Sequence, residues 1–88
     1  MRVTLGAVQS EEYEDCIEMA RALLGGYEGN GDLWEANDHV NRALRIKPSE
    51  PEAWIIKSQV LSSLDDDAAA LAAAEMAVRR APRSAEAH

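Results

Sequence analysis

The sequence predicts an all-α protein in which short helices pack as antiparallel hairpins. Apolar residues recur at three- and four-residue spacing along the chain, which is the pattern of helices with one buried face. Proline, glycine and aspartate interrupt this pattern at intervals, and connecting turns are expected there. Hydrophobic residues make up 47% of the chain, but many are alanine and none is phenylalanine, which favours closely packed helices over a large pocket.

The first helix is predicted at about 11–25, after an N-terminal arm of residues 1–10. Ser10 is a favoured N-cap residue. The segment 25–31 contains four glycines, each of which costs a helix interior roughly 1 kcal/mol, so this helix should be shortened at its end. Its apolar face is formed by Tyr13, Ile17, Ala20, Leu23 and Leu24.

The second helix is predicted at about 33–47, with a stop at Pro48. Asp32 and Glu35 have the spacing of a capping box at its start. Its buried side should contain Ala36, Val40, Ala43 and Leu44.

The third and fourth helices are predicted at about 51–64 and 68–80. Ser49 and Glu52 form a second capping box. The three aspartates at 65–67 are interpreted as a turn and helix cap, because a calcium-binding EF-hand needs alternating ligands and a glycine.

The second half of the chain repeats the first at a distance of 34 residues. This shift superposes Asp32 on Asp66, Ala36 on Ala70, Ala43 on Ala77, Arg45 on Arg79 and Pro48 on Pro82. One helical hairpin per period indicates stacked repeats. The chain is therefore interpreted as one domain at 11–88, with repeats at about 17–50 and 51–84 and the start of a third helix pair at 85–88.

The repeats resemble those of tetratricopeptide-repeat proteins, whose pattern is W-x2-L-G-x2-Y, then A-x3-F, an alanine and a closing proline. The second repeat carries Trp54, Lys57, Ser58, Leu61, Ala70, Ala74, Ala77 and Pro82 at these spacings. The first repeat carries Ala20, Leu23, Leu24, Tyr27, Ala36, Val40, Ala43 and Pro48. The two alanines and the proline are kept in both, whereas Lys57 replaces leucine, Leu24 replaces glycine and Ala74 replaces phenylalanine.

The resemblance implies a right-handed stack of hairpins, an α-solenoid, with the first helix of each repeat lining a concave groove. The residues expected on this groove are Glu18, Arg21, Ala22, Glu52, Ile55, Ile56, Gln59 and Ser62. Some family members hold a peptide carboxylate there, but Gly25 and Ile56 stand where asparagines would be needed. We expect instead an apolar strip at Ile55 and Ile56 that holds an amphipathic helix or an extended segment. The alternative is that one of these isoleucines belongs to the core.

The outer face of the last helix has no further repeat to cover it. Leu71, Ala74 and Val78, with Met76, would be partly exposed there. Since such apolar surfaces usually mark interfaces, we expect self-association or truncation at this end in preference to an open-ended monomer.

The chain is acidic, with 16 acidic and 9 basic residues and a net charge of −7. Residues 1–44 hold nine acids and three bases, net −6, and residues 45–88 hold seven acids and six bases, net −1. No basic stripe is available for nucleic acid, and anionic membranes are disfavoured. This difference in charge between the two halves has two interpretations. Either the charges belong to solvated helix faces that complement the helix dipoles, or they support head-to-tail stacking between copies of the chain.

Nothing in the sequence indicates catalysis, a cofactor or a metal site. The single cysteine, Cys16, excludes an internal disulfide. Nothing in the sequence requires His39 to lie beside Cys16 as the base of a nucleophile–base pair. The two histidines, His39 and His88, do not have ligand spacing. No signal peptide or membrane span is recognisable, and a cytoplasmic protein is expected.

These observations predict a non-catalytic protein-interaction module that binds a protein or peptide partner: a scaffold, an assembly factor or a small chaperone. Two alternatives remain. One is a structural unit that self-assembles through its open end, and the other is a regulatory fragment of a larger protein.

Overall fold

The computed structural model of the protein describes residues 4–80, with side chains from residue 11 onwards. Four α-helices and no strand occur among them, namely α1 at Thr4–Gly26, α2 at Asn30–Ile46, α3 at Pro51–Ser63 and α4 at Asp67–Arg80. The prediction of an all-α fold is confirmed for this part of the chain. None of these helices has both the length and the apolar content needed to cross a membrane. The predicted stop at Pro82 and the helix start at 85–88 lie outside the described residues.

Helix α1 begins earlier than the sequence analysis predicted. Its backbone is helical from Thr4, so Ser10 lies inside the helix and the predicted start at residue 11 is wrong. No proline precedes Ser10, and a serine in a helix interior costs only about 0.5 kcal/mol relative to alanine. A residue that favours N-caps therefore does not stop a helix that the preceding residues support. The predicted shortening at the glycines is confirmed, since α1 ends at Gly26.

The predicted capping boxes of α2 and α3 are not formed. Asp32 lies within the first turn of α2, where its carboxylate accepts a hydrogen bond of 3.1 Å from the backbone N–H of Glu28. Ser49 precedes Glu50, the N-cap residue of α3, whose side chain makes no capping hydrogen bond. Pro51 does occupy the first turn of α3 as predicted, where its missing N–H removes no intrahelical hydrogen bond.

The helices pack as two sequential pairs around one core. Helix α1 packs on α2 and α3 packs on α4, while α3 also contacts both α2 and α1. Within residues 4–80, α4 contacts no helix other than α3. The core cluster consists of Tyr13, Cys16, Ile17, Ala20, Leu33, Ala36, Val40, Ala43, Ala53, Ile56 and Val60.

Helix α2 is covered by α1 on one side and by α3 on the other. Leu33, Ala36, Val40 and Ala43 have no exposed surface. The last three were predicted, and Leu44 is half-buried against the same core. Small side chains at these positions let the neighbouring backbones approach closely.

A polar contact joins α2 to α3. The Lys57 ammonium donates hydrogen bonds to Oδ1 of Asn41, at 2.6 Å, and to Oδ1 of Asn37, at 3.3 Å. Burial lowers the pKa of Lys57, since its charge loses water. Lys57 is also the residue that departs from the leucine of the repeat pattern, and it provides a directional link between the two helix pairs.

The connection between the pairs is fixed at the carbonyl of Pro48. Nε1 of Trp54 donates a hydrogen bond of 3.1 Å to this oxygen, and Nε of Arg80 donates one of 3.3 Å. The two donors come from the start of α3 and the end of α4. One loop carbonyl thus orients both helices of the second pair.

The aspartate turn between α3 and α4 is confirmed and has a defined geometry. Asp65 adopts a positive φ of 66°, and its N–H donates to the carbonyl of Ser62, while the N–H of Asp66 donates to the carbonyl of Leu61. These two hydrogen bonds form a Schellman motif, which satisfies free carbonyls at the end of a helix. The Asp66 carboxylate then accepts a hydrogen bond of 3.3 Å from the N–H of Ala69 and caps α4.

We predict that Asp65→Gly stabilises the protein by about 0.5–1 kcal/mol. The left-handed conformation at this position is costly for a residue with a Cβ atom and free of that cost for glycine. The free energy of unfolding would be measured by urea titration followed by circular dichroism. Asp66→Ala is the matched neighbour and should instead lose about 1 kcal/mol, because the cap of α4 is removed. A loss of stability in Asp65→Gly would contradict the role of this turn.

Candidate partner-binding groove

A cleft of about 330 Å³ lies between α1 and the start of α3. Its walls come from one face of α1, the connection after α2 and the first turn of α3. The lining residues are Tyr13, Glu14, Ile17, Glu18, Arg21, Lys47, Glu50 and Glu52. Three residues predicted for the groove, Glu18, Arg21 and Glu52, are therefore brought together.

Arg21 on α1 and Glu52 on α3 form an ion pair across this cleft. The two side chains are 58% and 42% exposed, so the pair is worth no more than about 1 kcal/mol. Its main consequence is electrostatic. Because Arg21 is already neutralised by Glu52, it does not offer a free cation to a partner carboxylate.

Tyr13 forms the floor of the cleft. Its side chain is only 5% exposed, and Nζ of Lys47 lies 5.1 Å from the centre of its ring, a cation–π distance. The buried hydroxyl has no hydrogen-bond partner of normal geometry among the described residues. The backbone N–H of Ala53 approaches the hydroxyl without completing a hydrogen bond.

The Tyr13 hydroxyl is both buried and close to carboxylates, and both features affect its pKa. Burial and the nearby carboxylates of Glu52 and Glu50 raise the pKa of Tyr13 to about 12, in that order of importance. The Ala53 N–H and the Arg21 guanidinium oppose this rise without cancelling it. A negative charge is therefore disfavoured on the cleft floor.

The acidic residues outnumber the basic ones along this cleft. Four carboxylates face two cations, giving a formal charge of −2 for the lining residues. Glu14, Glu18 and Glu50 form no ion pair within residues 11–80, and Lys47 is the only cation besides the neutralised Arg21. The surface is suited to a partner that carries positive charge.

The predicted residues on α3 divide between the surface and the core. Ile55 is 47% exposed, and Gln59 and Ser62 are exposed at the next two turns of the same helix face. Ile56, in contrast, is only 3% exposed and belongs to the core. The prediction of Ile56 as a groove residue is wrong, and the alternative that one isoleucine is core is correct. The apolar strip is thus reduced to Ile55.

On α1, Ala22 is exposed but does not line the cleft, because it lies on the next face of the helix. Sequence reasoning missed the contribution of five residues to the cleft, namely Tyr13, Glu14, Ile17, Lys47 and Glu50. The 34-residue shift makes Tyr13 equivalent to Lys47 and Glu14 equivalent to Pro48. Equivalent positions in a repeat do not have to face one another, so the repeat pattern carried no signal for this cleft.

A second surface of interest lies on α4. Leu71 and Val78 are 62% and 66% exposed, and Ala74 and Met76 are half-buried. The predicted exposure of these apolar residues is confirmed. Whether a second copy covers them stays a prediction.

Two groups with catalytic potential, Cys16 and His39, lie outside this cleft. Cys16 is buried in the core, and Nε2 of the half-buried His39 lies 3.8 Å from the Glu35 carboxylate one turn earlier in α2. No hydrogen bond between Cys16 and His39 is described within residues 11–80. In the same part of the chain no cluster of His, Cys, Asp and Glu side chains has the arrangement of a metal site.

A larger cleft, of about 590 Å³, lies between α1 and α2. Its lining residues are Glu12, Asp15, Cys16, Arg42, Arg45 and Ile46. Two carboxylates and two guanidinium groups give it no net charge, and both walls belong to the first helix pair. The cleft between α1 and α3 is the better candidate because it has a net charge and contains the predicted residues.

Compared with known proteins, the chain matches no protein-family model, no curated protein and no solved structure. The resemblance to tetratricopeptide repeats therefore depends on the residues and their spacing alone.

We predict that Tyr13→Phe keeps or raises stability at pH 7, by up to about 1 kcal/mol, because the buried hydroxyl lacks a partner. Above pH 10 the wild-type protein should lose stability, since the unfolded tyrosine ionises near pH 10 and the folded one near 12. The loss reaches about 2.3 kcal/mol at pH 12, where the folded tyrosine is half ionised, and approaches about 2.7 kcal/mol only at higher pH. It should be absent from Tyr13→Phe.

The measurement is urea unfolding of both proteins from pH 7 to pH 12. Lys57 does not obscure the result, because its lowered pKa makes stability rise with pH only up to about 10.5 and is common to both proteins. Equal pH dependence of the two proteins would show that Tyr13 ionises freely in the folded state.

Proposed function

We propose that the protein is a non-catalytic interaction module whose cleft between α1 and α3 binds a basic segment of a partner protein. The observation that carries this proposal is the acidic lining of the cleft. Glu14, Glu18 and Glu50 have no ion-pair partner in the described part of the chain, and the carboxylates of Glu52 and Glu50 add to the effect of burial in raising the pKa of Tyr13.

The partner segment would combine positive charge with at least one apolar side chain. Ile55 lies one turn beyond Glu52 on α3 and leaves nearly half of its surface exposed. Gln59 and Ser62 continue this face with neutral hydrogen-bonding groups. A basic amphipathic helix or a basic extended segment satisfies both requirements.

We further propose that the two helix pairs are hairpins stacked as in tetratricopeptide repeats. The order of packing supports this, because α1 packs on α2 and α3 packs on α4. Burial supports it as well, because Ala43 and Ala77 are both buried at equivalent positions. In such a stack the cleft lies on the concave side, which would suit a scaffold, an assembly factor or a small chaperone. A cytoplasmic location stays a prediction.

We predict that removing two cleft charges weakens binding of a basic peptide about tenfold. The variant is Glu18→Gln with Glu50→Gln, and the probe is a fluorescein-labelled amphipathic peptide of lysine and leucine at helical spacing. Two exposed charge interactions of about 0.7 kcal/mol each account for this factor. Fluorescence anisotropy at low salt gives the dissociation constants.

The control variant is Glu35→Gln with Glu75→Gln, which changes the net charge equally but lies on α2 and α4, outside the cleft. Its affinity should change by less than about twofold. Ile55→Ser should also weaken binding, since the exposed apolar contact is lost. Equal effects of both double variants would mean that the peptide responds only to net charge, and the groove would be rejected.

A further inference from the structure

Two apolar surfaces remain exposed at opposite ends of the helix order. The α4 face consists of Leu71, Ala74 and Val78. These residues lie on one side of the helix because they are spaced three and four residues apart. The α1 face consists of Met19 and Leu23, of which Met19 is 48% exposed and Leu23 is half-buried. These surfaces are distinct from the cleft between α1 and α3.

The α4 face corresponds to the surface of α2 that α3 covers. The shift of 34 residues places Leu71 on Asn37, Ala74 on Val40 and Val78 on Leu44. Val40 has no exposed surface, Leu44 packs against the core, and Asn37 accepts a hydrogen bond from Lys57 of α3. The corresponding positions of α4 are more exposed because no helix of residues 4–80 lies against them.

The α1 face corresponds to the surface of α3 that packs on the first pair. The same shift places Met19 on Ala53 and Leu23 on Lys57. Ala53 is fully buried, and Lys57 makes the contact to α2. Met19 therefore leaves nearly half of its surface exposed at a position whose counterpart on α3 is buried, whereas Leu23 already packs partly against the core.

We propose that a second copy of this chain covers these surfaces, with the α4 face of one copy packed against the α1 face of the next. The contact would repeat the packing of α2 on α3 inside each copy. At the centre of that internal contact Lys57 bonds to Asn37, whereas the equivalent pair between copies is Leu23 with Leu71. The contact between copies thus exchanges a polar centre for an apolar one.

The charges at the two ends are complementary. The exposed carboxylates on the first described turns of α1 that lie outside the cleft with α3 are Glu11, Glu12 and Asp15. The last turn of α4 ends with the exposed cations Arg79 and Arg80. Inside one copy, the end of α2 is joined to the start of α3 by residues 47–50, so these ends are neighbours. Repetition of this arrangement brings the arginines of one copy to the acidic half of α1 in the next.

Such a contact joins two different surfaces and is heterologous. It extends into open chains of copies instead of closing after two. It also does not need the groove, because neither Met19 nor Leu71 lines the cleft. Failure of peptide binding and failure of self-association are consequently separate results.

The test is sedimentation velocity of the full chain at concentrations from micromolar to about 1 mM, the range in which small interfaces associate. The wild-type protein should form concentration-dependent oligomers that weaken as sodium chloride rises from about 0.05 M to about 0.5 M. Met19→Glu and Leu71→Glu should each reduce the association constant at least tenfold. Ile55→Glu is the matched control, since Ile55 is similarly exposed but lies on neither face.

The decisive sample is a mixture of Met19→Glu and Leu71→Glu. Each variant keeps one intact face, so the mixture should form a one-to-one heterodimer although neither variant associates alone. A protein that stays monomeric at all concentrations overturns the proposal, and this is the result expected if residues 81–88 of the same chain cover α4. Dimerisation of Met19→Glu alone, with no gain on mixing, would overturn it in favour of a symmetric α4 contact.

Discussion

The packing of α2 between α1 and α3 is the constraint on which the rest of the structure depends. Four consecutive inward positions of this helix have no exposed surface, and three of them carry side chains no larger than valine. Small residues let both neighbours approach closely, so the core gains dispersion contacts on two sides of α2 although Tyr13 is the only aromatic residue in its buried cluster. The Lys57 contact to Asn37 and Asn41 adds direction to that packing.

This arrangement also explains where the chain exposes apolar surface. Helix α2 has a neighbouring helix on each of two sides, α1 and α3. Among the described residues, α4 has a neighbouring helix on one side alone, which is α3. Leu71 and Val78 therefore face outwards on a helix that is built like α2. The same geometry places α1 beside the start of α3, and the acidic cleft forms where these two helices meet.

The cleft illustrates how a buried neutral group and exposed charges act together. Tyr13 forms a rigid floor, and the carboxylates around it are held by three different elements: α1, the loop after α2 and the first turn of α3. Arg21 and Glu52 neutralise each other at the centre, which leaves the remaining carboxylates to set the sign of the surface. Selectivity for a basic partner would thus come from Glu14, Glu18 and Glu50, the carboxylates that the Arg21–Glu52 ion pair leaves without a partner.

The sequence by itself determined the all-α class, most helix bounds within a few residues and the buried alanines, because apolar spacing and turn residues act locally. It also determined the exposure of Leu71 and Val78, through the 34-residue period. Only the tertiary structure decided that Ile56 is core while Ile55 is exposed. Adjacent residues of a helix point in different directions, and the packing of the helices decides which direction is covered. The tertiary structure likewise decided that Arg21 is paired and that Tyr13 lines an acidic cleft, because these contacts join residues far apart in the chain.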